Sequence, residues 1–187
     1  MKVIGIIPVR LGSKRLKKKN ILPIKGKPMV CWTIDAALGS KYFTKDNLFV
    51  STESEEIKKA VGDRCKVITR PNHLATDDIW IQPVVNDALL RLPNIEEDDL
   101  VVILQGNSPE MEAQVITECI DKVISDELWQ LSTVDQEFVN NGHIHVLRKR
   151  VCFHKGKANY NGVYPVNWVD IHTMEDYNKA KERLEND

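Results

Sequence analysis

Residues 99–104 read DLVVIL, and after Asp99 the run has no polar interruption. It is too short for an ordinary helix and too apolar for a strand with one wet face. It therefore reads as the central strand of a sheet covered on both sides. Three other short runs share this character: residues 2–9, ending at Pro8 and Val9, residues 47–51 (NLFVS), and residues 66–69. Helical patterns separate them. Pro28 suits the first turn of a helix through Ala36 and Leu38, with Gly39 as its stop. SEEIKKAV follows with Ser54 as N-cap. Ile81, Val84, Val85, Ala88, Leu89 and Leu92 recur at helical spacing, with Pro83 tolerated in the first turn. Val115, Ile116, Cys119, Ile120, Val123 and Ile124 mark another apolar stripe. Beyond residue 129 the pattern weakens, leaving a strand at 142–147 (GHIHVL) and a closing helix from Met174 to Leu184. Residues 10–27 have no period and read as a long loop. The alternation predicts an α/β fold, a mostly parallel sheet with helices on both faces. A ligand then lies beyond the carboxyl ends of the strands, where residues 10–20, 51–54, 70–77 and 105–109 fall.

The 187 residues favour one domain over residues 1–187, and 42% hydrophobic with 28% charged residues excludes disorder. No stretch approaches the length of a membrane-spanning helix, and no cleavage site follows the short apolar N-terminus, so a cytoplasmic protein without membrane contact is expected. Cys31, Cys65, Cys119 and Cys152 form no CxxC pair, which points to reduced thiols and not to a zinc ribbon or disulfide framework. The net charge of −1 conceals a strong asymmetry. The first 34 residues hold nine Lys or Arg and no acid, and the remainder holds 17 basic against 27 acidic residues. Such a cationic patch on an acidic body attracts a polyanion: nucleic acid, an acidic membrane or a small polyphosphate.

The patch sits directly after the first strand, in IIPVRLGSKRLKKKN (residues 6–20). Neither GxGxxG nor GxxxxGK[ST] is present, so the usual dinucleotide and P-loop fingerprints fail. The loop nevertheless combines Gly12, Ser13 and six basic residues, Arg10, Lys14, Arg15, Lys17, Lys18 and Lys19. Backbone N–H groups, the Ser13 hydroxyl and the Arg10 fork can surround phosphate oxygens, and Gly12 lets the chain approach them. The KRLKKK run lacks interleaved aromatics to stack bases, so nucleic acid is not the expected partner. His143 and His145 share a spacing that metal ligands use, but without an evident third ligand they read as ordinary strand residues.

The block formed by Pro8, Arg10, Gly12, Ser13, Lys14, Lys19 and Asn20 resembles the signature of CMP-sialic acid synthetases, the acylneuraminate cytidylyltransferases, and the related CMP-Kdo synthetases start similarly. ILPIKGKPMVCWTIDAAL resembles the family's continuation, in which a Gly-x-Pro turn enters a helix. STESEEI (51–57), RPNHLATDD (70–78), LQGNSP (104–109), NGHIHV (141–146) and VDIHTMEDYNKA (169–180) resemble further family blocks in the same order. The resemblance implies a Rossmann-like sheet of the nucleotide-diphospho-sugar transferase type. It implies a reaction that joins CTP to an acidic 2-keto sugar and releases pyrophosphate. By position, Arg10, Ser13, Lys14 and Lys19 would hold phosphates, and Gly12, Asn20 and Arg70 would help bind the nucleotide. Arg10, Lys14, Lys19 and Asp170 would be the catalytic set, Gln105 would face the sugar, and Asp170 would bind Mg²⁺. A homodimer is among the family's implications.

The chain departs from the family pattern at particular positions. His172 stands where the family has the second Asp of Asp-Ile-Asp, and imidazole is a poor ligand for Mg²⁺. Asn107 stands where the Kdo branch carries an acid, and Asp78, Ile79, Trp80 and Ile81 replace small hydroxyl residues. Around residues 110–140 the family's sugar-binding and dimerisation segment is shortened. Two readings stay open: an active CMP-sugar synthetase, or a weak or inactive relative that binds nucleotide or serves in an assembly.

Overall fold

The computed structural model describes residues 1–153 and 160–186. Its strands are β1 (Val3–Pro8), β2 (Pro23–Ile24), β3 (Lys27–Pro28), β4 (Leu48–Thr52), β5 (Lys66–Thr69), β6 (Leu100–Leu104), β7 (Gln130–Val134), β8 (Asn140–Arg148) and β9 (Asn161–Pro165). Its α-helices are α1 (Met29–Gly39), α2 (Glu55–Val61), α3 (Ile81–Leu90), α4 (Ala113–Ser125), α5 (Lys149–Cys152) and α6 (Met174–Asn186). Seven strands form one sheet in the order β5-β4-β1-β6-β8-β7-β9. Every neighbouring pair is parallel except the two made by β8, which runs against both β6 and β7.

The buried strands show why the sheet needs two covers. Along β6, Leu100, Val102 and Leu104 face the cluster containing Ile34, Ala37, Ile116, Cys119 and Ile120 of α1 and α4. Val101 and Ile103 face the opposite cluster, with Val85, Ala88 and Leu89 of α3. Each such large aliphatic side chain contributes roughly 1.5–3 kcal/mol by leaving water, which explains the unbroken apolar run. The helix ends also follow their chemistry. The Ser54 Oγ accepts from the Ile57 N–H at 3.3 Å and caps α2. Pro28 sits just ahead of α1 as its N-cap, and Gly39 is the last helical residue.

The structure corrects the period-free reading of residues 10–27. Within that stretch, β2 and β3 form a small antiparallel hairpin across Lys25 and Gly26, both at positive φ. A third apolar cluster joins Leu16 and Ile24 to Met29 of α1 and to Ile171 and Ala180 at the C-terminal end of the chain. Leu16, only 5% exposed inside the lysine run, is thus an anchor that fixes the basic loop against α6. The sheet also gains β7 and β9, which the sequence pattern did not reveal. The segment 110–140 holds α4 and β7. All four cysteines are free and buried. No helix among the described residues is long and apolar enough to cross a membrane.

Candidate nucleotide-binding cleft

At the carboxyl end of β1 the chain leaves the sheet and becomes the basic loop. Its first residues are held from behind. The Val9 N–H donates to the Ser51 carbonyl at 3.0 Å. Arg70, 4% exposed, donates from Nη2 to the Val9 carbonyl and to Glu53 Oε2, both at 2.9 Å. The other Glu53 oxygen accepts from the Leu11 N–H at 2.9 Å. On the opposite flank the buried Asn20 donates from Nδ2 to the Arg10 carbonyl at 2.9 Å. Four backbone groups, on Val9, Arg10 and Leu11, are therefore fixed before any cation is considered. The loop can present its charges with little freedom left to lose.

Those charges line a cleft of about 900 Å³. Arg10, Ser13, Lys14, Arg15, Lys19 and Asn20 form one wall, residues 76–81 the other, and Gln105 and Asn107 the floor. Gly12 lies at the loop's outer side, and a Cβ placed there would meet nothing within 4 Å. Each cation has an internal acceptor. Arg10 donates to the Ala75 carbonyl at 3.3 Å and pairs with Asp77. Lys14 reaches the same carboxylate at 2.9 Å. The hydrogen bonds from Lys14 and Arg10 hold the Asp77 carboxyl below the ordinary range. Lys18 pairs outward with Glu56 at 2.6 Å, and Lys17 is exposed.

Lys19 is set deeper. Its ammonium donates to the Ile171 carbonyl at 2.7 Å. Burial pulls its pKa below the usual lysine value, assisted by Arg15 and Arg10 and opposed by Asp170 and Asp176. A second anion in the cleft would favour its charged form. Gln105, at the end of β6, is fixed through its backbone: its carbonyl accepts from the Thr33 hydroxyl at 3.0 Å, and its N–H donates to the His143 carbonyl at 2.9 Å. Its side-chain Oε1 is buried without a partner. An acceptor in that position is available to a donor on a bound molecule.

Asp170 stands one layer behind the cleft. Its Oδ1 accepts from Asn107 Nδ2 at 2.9 Å, and its Oδ2 lies 2.7 Å from His172 Nε2. Arg15 Nη2 faces His172 Nδ1 at 3.1 Å. A guanidinium only donates, so Nδ1 accepts and Nε2 carries the proton given to Asp170. Two of the departures from the family pattern act together: Asn107 and His172 are the two donors to one carboxylate. Among the described residues no group of three or more His, Cys, Asp or Glu could hold a metal. The donor set does not build a protein cage. It would suit the mode in which Mg²⁺ keeps water, takes one carboxylate and completes its shell with substrate phosphates, with Asp170 as the carboxylate that would hold it. His172 does not fit as a ligand.

Of the side chains expected in the site, Arg10, Ser13, Lys14, Lys19, Asn20 and Gln105 come together in the cleft. Arg70 is brought under the loop and Asp170 behind the floor. The sequence reading passed over Asp77, the anion on which two cleft cations rest. Its position opposite a basic loop, within a strand-end segment, was the available signal. His143 and His145 have separate surroundings. His143 Nδ1 lies 2.5 Å from Ser108 Oγ and its ring meets Trp168 edge-on, whereas His145 lines a cavity with Asn86 and Cys152.

A mostly parallel sheet with a cation-lined cleft at the carboxyl ends of its strands defines a Rossmann-like α/β fold of the nucleotidyltransferase type. The chain belongs to the cytidylyltransferase family, whose model matches residues 4–159. It is 38% identical over 129 residues to an N-acylneuraminate cytidylyltransferase of Streptococcus agalactiae, covering 68% of this chain and 30% of that protein. It is 34% identical over 147 residues to an 8-amino-3,8-dideoxy-manno-octulosonate cytidylyltransferase of a Shewanella species, covering 77% of this chain and 57% of that one. The chain therefore aligns with little more than half the length of these relatives, or less. In fold it matches a CMP:2-keto-3-deoxy-manno-octonic acid synthetase solved with CTP, at a TM-score of 0.79 and 15% identity, covering 100% of this chain and 99% of that one.

Proposed function

We propose that this chain transfers CMP from CTP to an acidic 2-keto sugar and releases pyrophosphate. One observation carries the reading: Arg10, Lys14, Arg15 and Lys19 converge on a single cleft beyond the first strand. In it, a triphosphate takes the place that Asp77 occupies on Arg10 and Lys14, since its oxygens offer more negative charge than one carboxylate. Ser13 and the loop N–H groups orient the phosphates, and Lys19 stabilises the negative charge that grows on the departing diphosphate. Asn20 and Arg70 keep the loop in the geometry this requires. Gln105 Oε1 accepts a hydroxyl of the sugar, whose anomeric oxygen attacks the α-phosphorus. Asp170 would be the protein carboxylate for a divalent ion, which would supply charge neutralisation and polarisation of the phosphates. The acceptor proposed is of the class named for the relatives, an acylneuraminate or an octulosonate.

A second reading has its own support. Both Asp170 oxygens are engaged, by Asn107 and His172, and among the described residues no group of three or more metal-ligating side chains surrounds them. A chain that binds CTP without turning it over would keep such an arrangement. Pyrophosphate release from CTP and Mg²⁺ with a panel of 2-keto acid sugars separates the two. Release with at least one sugar is the expected outcome. CTP binding by calorimetry with no release from any sugar would establish the second reading instead.

A further inference from the structure

Trp80 is 82% exposed, and it lines the same cleft as the phosphate-directed cations. A large aromatic left almost wholly in water forgoes the burial that normally places indoles in cores or interfaces. Its position is fixed by its neighbours. It is the residue at the N-cap of α3, and that helix is bound to the sheet by Val84, Val85, Ala88 and Leu89. Three residues earlier, Asp77 ties the same segment to Arg10 and Lys14 across the opening. Ile81, 47% exposed, extends the apolar surface along the lip.

We propose that the indole of Trp80 is a stacking platform for the base of the bound nucleotide. The inference rests on the reading of the cleft as a CTP site and adds to it a residue that the phosphate contacts do not require. The charge of the lip chooses between the two ends of the ligands. Asp77 and Asp78, just before Trp80 in the chain, line the same cleft, and both carboxyls are held below their ordinary range, Asp77 by Lys14 and Arg10 and Asp78 by Thr76. An acidic sugar brought against this lip meets like charge. A cytosine is flat and uncharged, and its π-face matches an exposed indole. The phosphate tail on Arg10 and Lys14 leaves the nucleoside end within reach of the same segment. Single bases stacked on aromatic side chains lose about tenfold in affinity on alanine substitution.

The test uses two ligands that share phosphates and differ in the base. Binding of CTP and of inorganic tripolyphosphate is measured by calorimetry for the unaltered chain, Trp80→Ala and Trp80→Phe. Trp80→Ala should weaken CTP about tenfold while leaving tripolyphosphate within about twofold, and Trp80→Phe should keep most of the CTP affinity. Equal weakening of both ligands would overturn the proposal, because the residue would then be shaping the loop. Unchanged CTP affinity in Trp80→Ala would overturn it while leaving the CTP site intact. Absence of CTP binding in the unaltered chain would overturn the site and the platform together.

Discussion

Lys17 and Lys19 are two positions apart in one lysine run, and the fold gives them opposite surroundings. Lys17 faces solvent, whereas Lys19 is partly buried with its ammonium on the Ile171 carbonyl and beside Asp170. Lys19→Ala should lower kcat for pyrophosphate release by about 10²-fold, in the range typical for removing one preorganised electrostatic group. Lys17→Ala should change it by less than about twofold. Steady-state kinetics on both variants checks the contrast, and equal losses would refute the assignment. Arg70 belongs to a different category of residue. Its side chain and that of Glu53 are 3% and 15% exposed, and together they hold the backbone of Val9 and Leu11. Arg70→Met should cost about 3 kcal/mol in urea unfolding, because it leaves the Glu53 carboxylate buried without its cation. The motif groups these residues as a set but is silent on what each one touches. Arg70 and Asn20 look like nucleotide ligands in a string of letters. Only the turn of the chain after Val9 makes their nearest acceptors carbonyls of the loop itself.

At the scale of elements, legibility followed the strength of the local signal. β6, β5, α2 and α3 were found because their apolar spacing or caps are dictated within a few residues. The strands β7 and β9 were hidden. QLSTV mixes polar and apolar positions, and NGVYP begins with Asn-Gly and closes with Pro. Such residues read as turn, yet they are tolerated at a sheet edge, where β9 lies. Leu16 was hidden in another way, since five lysines and arginines around it suggest a solvated loop while its partners lie on α1 and near α6. Two element-scale predictions test this account. Ser54→Ala removes the cap on the Ile57 N–H and should lower stability by about 1 kcal/mol in thermal or urea unfolding. Gly106→Ala, just past β6, would drive a methyl group into Val9, and such overpacking costs about 1–3 kcal/mol. Because Val9 begins the basic loop, the variant should weaken CTP binding as well, whereas Ser54→Ala should leave it unchanged.

At the scale of the whole molecule, His143 and His145 of β8 make stability sensitive to acid. Burial pushes His145 down to about 4, and His143 is lowered too, chiefly by burial and against the pull of Asp170. An unfolded chain binds a proton at an ordinary histidine near pH 6.5, so between that value and about 4 the unfolded state takes up a proton that folded His145 refuses. Stability contributed by the neutral imidazole is therefore complete above pH 6.5 and declines as the pH falls. The loss for His145 approaches about 3 kcal/mol at pH 4. Urea midpoints at pH 7.5, 6 and 5 should fall in that order, and His145→Gln should flatten the slope between them. A slope unchanged by the substitution would place the sensitivity elsewhere.

The reversed direction of β8 has a consequence for how such a molecule diversifies. All its neighbours bring their carboxyl ends to the cleft edge, while β8 brings its beginning there, pairing Ile144 with Leu104. The connection from Val134 to Asn140 therefore lies at that same end of the sheet, with residues 136–139 exposed. Lengthening it would add chain near Gln105 and leave the strand register untouched, so under the proposed function an insertion at this single hairpin would alter the acceptor side without disturbing the basic loop.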